Sequence, residues 1–168
     1  GGATGVAYGT TPTPAEANRL QLGATDPVYF ATIDEACFLK AEAYARLNDA
    51  ANARSNYEEA IRAAFARCGC TGADELIAGD YAFTGGTTEQ MVEQIINHKW
   101  ASNVRCMPIE SWFDMNRTGY PTRGTTITAS EGVLGGFPCR FLYPYNSTDY
   151  NPNAPQVEPL TAKMWWHK

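Results

Sequence analysis

Positive charge is scarce in this sequence. Thirteen lysines and arginines stand against 18 acids, for a net charge of −5. No basic stripe is present to meet phosphates, so nucleic acid is set aside as a partner. Long apolar runs are missing too, and none approaches the ~20 residues that a helix needs to cross a bilayer. The opening GGATGVAYGT has neither the basic start nor the apolar stretch of a signal peptide, and reads as the start of a mature or truncated piece. Histidine is limited to His98 and His167. A Cys-x-Cys such as Cys68-Gly69-Cys70 needs two further ligands to hold zinc, and with so few histidines no metal site is expected. No Gly-x-Ser-x-Gly, no phosphate loop ending in Gly-Lys-Thr and no His-Glu-x-x-His occurs. Their absence removes the usual nucleophile, nucleotide and zinc-protease chemistries and leaves no cofactor to expect.

What is present is apolar and aromatic. Aromatic residues make up 12% of the chain, which a binding surface or a dense core explains equally well. Five cysteines are an odd number, so at least one is free or pairs outside the chain. A disulfide from the Cys68/Cys70 pair could run to Cys106 or Cys139, and sequence does not choose. At 168 residues one domain is the default. It is taken here as 1–168, with a lead-in over 1–12, a helical core over 13–118 and an irregular tail over 119–168.

The chain is organised around Ile33 to Arg67, where two helices are written around a break at Asn48-Asp49. Cys37, Ala41, Tyr44 and Leu47 recur at helical spacing in the first; Ala53, Tyr57, Ala60, Ile61 and Phe65 do so in the second. Ala41 with Tyr44, and Ala53 with Tyr57, match the small and aromatic positions of a tetratricopeptide helix pair. Cys37 stands where that pattern has Trp, and Phe65 where it has Pro. One such pair cannot bury its own apolar face and must pack on something else. Burying Tyr44, Leu47, Tyr57, Ile61 and Phe65 would contribute about 1.5–3 kcal/mol each before chain entropy is subtracted.

Other elements flank this hairpin. Thr13-Pro14-Ala15-Glu16 reads as a capping box opening a short helix to about Leu22. Thr32 or Asp34 caps the first hairpin helix. Residues 69–87 form a glycine-rich loop with room for one helical turn. Thr87 and Gln90 then box the start of a helix whose Met91, Val92, Ile95, Ile96 and Trp100 ask for burial on more than one side. Pro108 leads into a helix from Ile109 to Arg117, ended by Thr118-Gly119. Beyond Tyr120 helical periodicity is lost. Ile127-Thr128 and Phe141-Leu142 are candidate strands, and Phe137, Tyr143, Trp165 and Trp166 are expected to pin the tail to the core. The expected fold class is mainly α, a tetratricopeptide-like hairpin packed with further short helices and a long irregular C-terminal tail.

Three blocks together resemble the RagB/SusD-like family of outer-membrane nutrient-binding lipoproteins. Asp34-Glu35-Ala36-Cys37-Phe38-Leu39-Lys40-Ala41-Glu42-Ala43 is similar to that family's Y-A-E-x-x-L-x-x-A-E-A helix. Ile95-Ile96-Asn97-His98-Lys99-Trp100, followed by Glu110-Ser111-Trp112-Phe113-Asp114-Met115-Asn116-Arg117-Thr118-Gly119-Tyr120-Pro121, is similar to I-x-x-Q-K-W and E-x-W-x-D-x-R-R-T-G-Y-P. Arg140-Phe141-Leu142-Tyr143-Pro144, with Asp149 and Asn153 beyond, stands near R-x-x-Y-P-x-x-E-x-x-x-N. The departures are Asn97-His98 for x-Gln, Asn116 for the first of two arginines, and Asp for Glu with one extra residue before it in the third block. The resemblance covers roughly Pro27 to Asn153, the C-terminal portion of such a protein. It implies a helical superhelix and a surface-exposed lipoprotein of the cell outer membrane. The membrane attachment would run through an N-terminal lipid anchor that this chain does not contain. It also implies oligosaccharide, or sometimes peptide, as ligand and a TonB-dependent, SusC-like barrel transporter as partner. No ligand-contacting residue of the family carries over by motif.

The chemistry-bearing residues have plainer readings beside the functional ones. Glu110 and Asp114 lie i,i+4, and glycosidase carboxylates stand about 5–9 Å apart. The pair is more simply a first-turn acid and a partner for Arg117. Glu35 and Glu42, seven apart, are expected to pair structurally, because burying them unpaired is costly. Gly85-Gly86-Thr87-Thr88 could greet an anion, or serve only as hinge and cap. Sugar sites use an exposed aromatic plane with a few polar groups. Tyr81 and Phe83 on the glycine-rich loop are the candidates for that plane, with loop anchoring as their other reading. Trp100, Trp112, Trp165 and Trp166 read as packing. The expectation is therefore non-catalytic binding of glycan, with no catalytic residue. It stands ahead of a tetratricopeptide-type protein or peptide binder, which would want a second tandem copy, and of a carbohydrate-active enzyme.

Overall fold

The computed structural model describes residues 23–104, 106–122, 137–154 and 159–167. The chain falls into two compact units, one spanning Leu20–Thr122 and the other formed by the remaining residues. Among the described residues there are six helices and no strand. The expected helix after Thr13, the lead-in over 1–12 and the candidate strand Ile127-Thr128 lie outside the described residues.

The first of these units holds five helices. α1 (Ile33–Arg46) starts at Thr32, whose side chain accepts from the Glu35 N–H at 3.3 Å. It stops at Asn48, which has a φ of 60°. Asp49 caps α2 (Ala50–Cys68) by accepting from the Asn52 N–H, and Gly69 ends α2 in the left-handed region that glycine adopts without a Cβ clash. α3 (Ala73–Ala78) is the single helical piece in the glycine-rich segment. α4 (Thr88–Asn103) opens with the expected reciprocal box between Thr87 and Gln90. α5 (Pro108–Thr118) has proline at its start and left-handed Gly119 at its end.

Small residues set how closely these helices approach. Ala41 and Ala45 on α1 and Ala53 and Ala60 on α2 are wholly buried, with Phe38 and Tyr57 filling the space between them. α4 packs on both helices of the hairpin and adds Met91, Val92, Ile95 and Ile96 to the same core. The Thr88 hydroxyl also bonds Asn48 Oδ1, tying the start of α4 to the α1–α2 turn.

Two details of the core differ from the sequence pattern. The buried face of α1 is Asp34, Phe38, Ala41, Glu42 and Ala45, while Cys37 and Tyr44 are half-buried and Leu47 is 75% exposed. α1 is gripped by both α2 and α4, so its buried arc is centred on Phe38 and Ala45. Leu47 lies past the last turn, where the chain swings away. Trp100 is 47% exposed. At 100° per residue it falls about 40° beyond Ile96, outside the arc that α4 buries.

In the other unit, Phe141 and Leu142 are exposed coil rather than strand. The Cys139 and Arg140 N–H groups both donate to the Leu160 carbonyl, and α6 (Tyr145–Asp149) follows. Trp165 is 89% exposed, and Tyr143 and Trp166 are near half. Within this unit these aromatics are not buried as core residues. Aromatic residues without a repeat do not specify which face turns inward.

Candidate functional site

The polar residues of the helical unit include two groups of interest. Those of the first group are consumed by the fold. Asp34 takes a two-pronged bond from Arg67, at 3.1 and 2.9 Å, and Arg67 also donates to the Ser102 carbonyl. Glu42 is buried against Arg117 and Arg46. Arg117 reaches on to Asp114 at 2.7 Å, whose other oxygen accepts from Lys99 at 2.8 Å. Burial alone would raise the Asp34 carboxyl, but Arg67 and the Thr32 hydroxyl outweigh it and hold the group below the usual range. Burial likewise opposes ionisation of Glu42, and Arg117 and Arg46 overcome it. The residues of the Ala-Glu-Ala, Lys-Trp and Asp-x-x-Arg-Thr blocks thus form a buried ionic lattice between α1, α4 and α5. Glu110 is half-buried in the first turn of α5, and Asp114, its i,i+4 neighbour, has both oxygens engaged.

The second group lines a cleft. An open cavity of about 490 Å³ runs along the polar side of α4, walled by Gly85, Gly86, Gln90, Glu93, Asn97 and His98. That volume is within the ~300–1,000 Å³ typical of small-molecule sites. The facing loop is held by two side chains. The Tyr57 hydroxyl donates to the Tyr81 carbonyl at 2.9 Å. Gln94 donates to the Ala82 carbonyl at 2.8 Å, while its own oxygen accepts from the Thr84 N–H and hydroxyl. Gly86 has a φ of 101°, a backbone region that favours glycine, and a Cβ there would also press on the end of the Gln90 side chain, 2.5 Å from its Oε1. Glu93 and Asn97, by contrast, are half-buried and make no side-chain hydrogen bond or ion pair among the described residues.

Tyr81 and Phe83 sit half-buried against the core. Phe83 packs on Tyr57 with ring centres 5.3 Å apart, and Tyr81 on His98 at 4.6 Å. Tyr81 lines a second, apolar cavity of about 350 Å³ together with Phe38, Phe65 and Arg67, and His98 is the wall common to both cavities. The five cysteines are free thiols. Glu93, Gln94 and Asn97 were not singled out by the sequence reading, and Gln90 was read only as a helix cap. Their only signal was a polar row at helical spacing beside Gly85-Gly86, which a solvated helix face also produces.

The family model for SusD-like proteins, described as starch-binding and associating with the outer membrane, matches residues 1–144. The chain belongs to the SusD-like family. A solved susD homolog from Bacteroides thetaiotaomicron shares the fold, with a TM-score of 0.68 and 22% identity over 88% of this chain. The SusD-like chain spans 40% of that relative's length. No curated protein matches it. No helix among the described residues is long and apolar enough to cross a membrane.

His98 should give this SusD-like unit a pH-dependent stability. Its Nδ1 stands 2.9 Å from the Gln94 carbonyl and 3.0 Å from the Tyr57 hydroxyl. The carbonyl can only accept, so Nδ1 carries the proton of a neutral ring. Burial pushes its pKa below the ordinary 6.5. Between that lowered value and 6.5 the unfolded chain binds more protons, so stability falls as pH falls. We expect urea unfolding to show stability declining from pH 7 towards pH 5, by at most about 1.4 kcal/mol per pH unit from this group. His98→Gln should flatten that slope. Asp34 and Glu42 lose their stabilising charge only at lower pH, since both are held below 3.8 and 4.5 respectively.

Proposed function

We propose that the protein carrying this chain is a surface lipoprotein of the outer membrane that binds oligosaccharides without transforming them. It passes them to a TonB-dependent barrel transporter. The observation that carries this reading is the SusD-like family match over residues 1–144. The distribution of carboxylates supports a non-catalytic role. Glycoside hydrolysis needs two carboxyl groups flanking one bond. Among the described residues the cleft along α4 is lined by a single carboxylate, Glu93, while Glu42 and Asp114 are bound in ion pairs. Titration calorimetry of the full-length protein against a panel of neutral and acidic glycans tests the reading. Binding of at least one oligosaccharide with no release of reducing ends is the expected result. Absence of binding to every glycan on the panel would remove it, and turnover of any of them would make the protein an enzyme.

A further inference from the structure

We propose that the cleft between the 79–87 loop and α4 is a subsite for neutral sugars, with Glu93 and Asn97 as the residues that take the sugar hydroxyls. The proposal rests on the glycan-binding reading and names the place in this chain where the ligand sits. Glu93 and Asn97 are one turn apart on α4, which brings their side chains to adjacent positions along one side of the cleft. A sugar hydroxyl both donates and accepts. A carboxylate supplies two acceptor oxygens and a primary amide supplies both roles, so this pair matches neighbouring hydroxyls on one ring. Gln94, the half-buried amide between them, is already engaged with the loop backbone. Glu93 and Asn97 are half-buried residues of the cleft wall whose side chains make no hydrogen bond or ion pair among the described residues.

The ends and floor of the cleft fit the same ligand. Gln90 gives its oxygen to the Thr87 N–H, which leaves its amide N–H₂ to donate. His98, neutral with its Nδ1 proton on the Gln94 carbonyl, keeps Nε2 as an acceptor. The loop is fixed by Tyr57 and Gln94 before any ligand arrives, which lowers the ordering cost of binding. Charge then selects among glycans. Among the described residues Glu93 is the one charged group lining the cleft, and Glu89 lies one turn before it on the same helix. A uronate or sulfate would meet like charge, whereas a neutral hexose would not.

The test uses the full-length protein, with maltohexaose as the neutral probe and oligogalacturonate of equal length as the acidic one. The wild type is expected to bind the neutral probe. Glu93→Ala and Asn97→Ala should each weaken it about tenfold or more, the loss associated with one charged or paired hydrogen bond. Glu93→Gln keeps the shape, should lose less, and should narrow the preference against the acidic probe. Circular dichroism melts show whether each variant is folded. Binding unchanged within twofold in both alanine variants would overturn the subsite while leaving glycan binding intact. A wild type that prefers the acidic probe would overturn the selectivity and the assignment with it. If the wild type binds neither probe nor any glycan on the wider panel, the glycan-binding reading itself fails.

Discussion

Replacing Asp114 with alanine should destabilise the helical unit by about 3–5 kcal/mol, the range for removing one partner of a buried ion pair. Lys99 and Asp114 are almost wholly buried, with side chains 3% and 8% exposed. The substitution removes the carboxylate from the Lys99 ammonium and from one side of Arg117 at once. Arg117 retains Glu42 and is more than a third exposed, so the larger loss falls on Lys99. The Thr118 hydroxyl keeps its bond to the Asp114 carbonyl, because that acceptor is backbone. The contrast is the double variant Lys99→Met with Asp114→Leu. It removes the charges together and should recover most of the stability, since apolar replacements of buried pairs are often neutral. Urea unfolding followed by circular dichroism measures both. A double variant as unstable as Asp114→Ala would mean that the lattice acts through geometry rather than through the stranded charge.

The helical elements were legible because each is signalled twice, by period and by cap. Thr32, Asp49 and the Thr87–Gln90 box mark the starts of α1, α2 and α4, and Gly69 and Gly119 mark the ends of α2 and α5. The structural role of Glu42 and Asp114 was legible too, since a buried acid has to find a cation. Which face of α1 turns inward was not. Periodicity places Cys37 and Leu47 on an apolar row as readily as Phe38 and Ala45, and only the joint grip of α2 and α4 decides between them. The cleft was harder still. Glu93 and Asn97 are polar residues on the polar side of a helix, indistinguishable by type from solvated ones. What separates them is the loop opposite, and its position depends on Tyr57 and Gln94, 24 and 12 residues from their carbonyl partners. The tail's irregularity was legible, but the facing of its aromatics was not. Trp165 and Trp166 are apolar enough for a core, but no repeat tells which way they face, and Trp165 lies almost fully in solvent.

Tyr57 joins the core to the cleft, so truncating it should have two separable effects. The residue is fully buried and packs edge-on to Phe38 and His98 and tilted against Phe83. Burial also pushes its hydroxyl well above the ordinary tyrosine range, so the group remains a donor throughout the stable pH range. Tyr57→Ala empties the space where three aromatic rings meet and should cost about 3–5 kcal/mol, as large-to-small changes of buried aromatics do. Tyr57→Phe keeps the packing and removes only the hydroxyl. It should cost about 1–2 kcal/mol, because the Tyr81 carbonyl loses its donor and His98 Nδ1 loses a neighbour. The second effect is local. With the Tyr81 tether gone, Gln94 remains as the side chain that ties Ala82 and Thr84 of the 79–87 loop to α4. Amide hydrogen exchange in Tyr57→Phe should therefore quicken in residues 79–87 while the centres of α1 and α2 stay protected. Glycan affinity in the same variant should fall with the loop's order rather than with global stability. Unchanged exchange in that segment would show that Gln94 holds the cleft without help from the core.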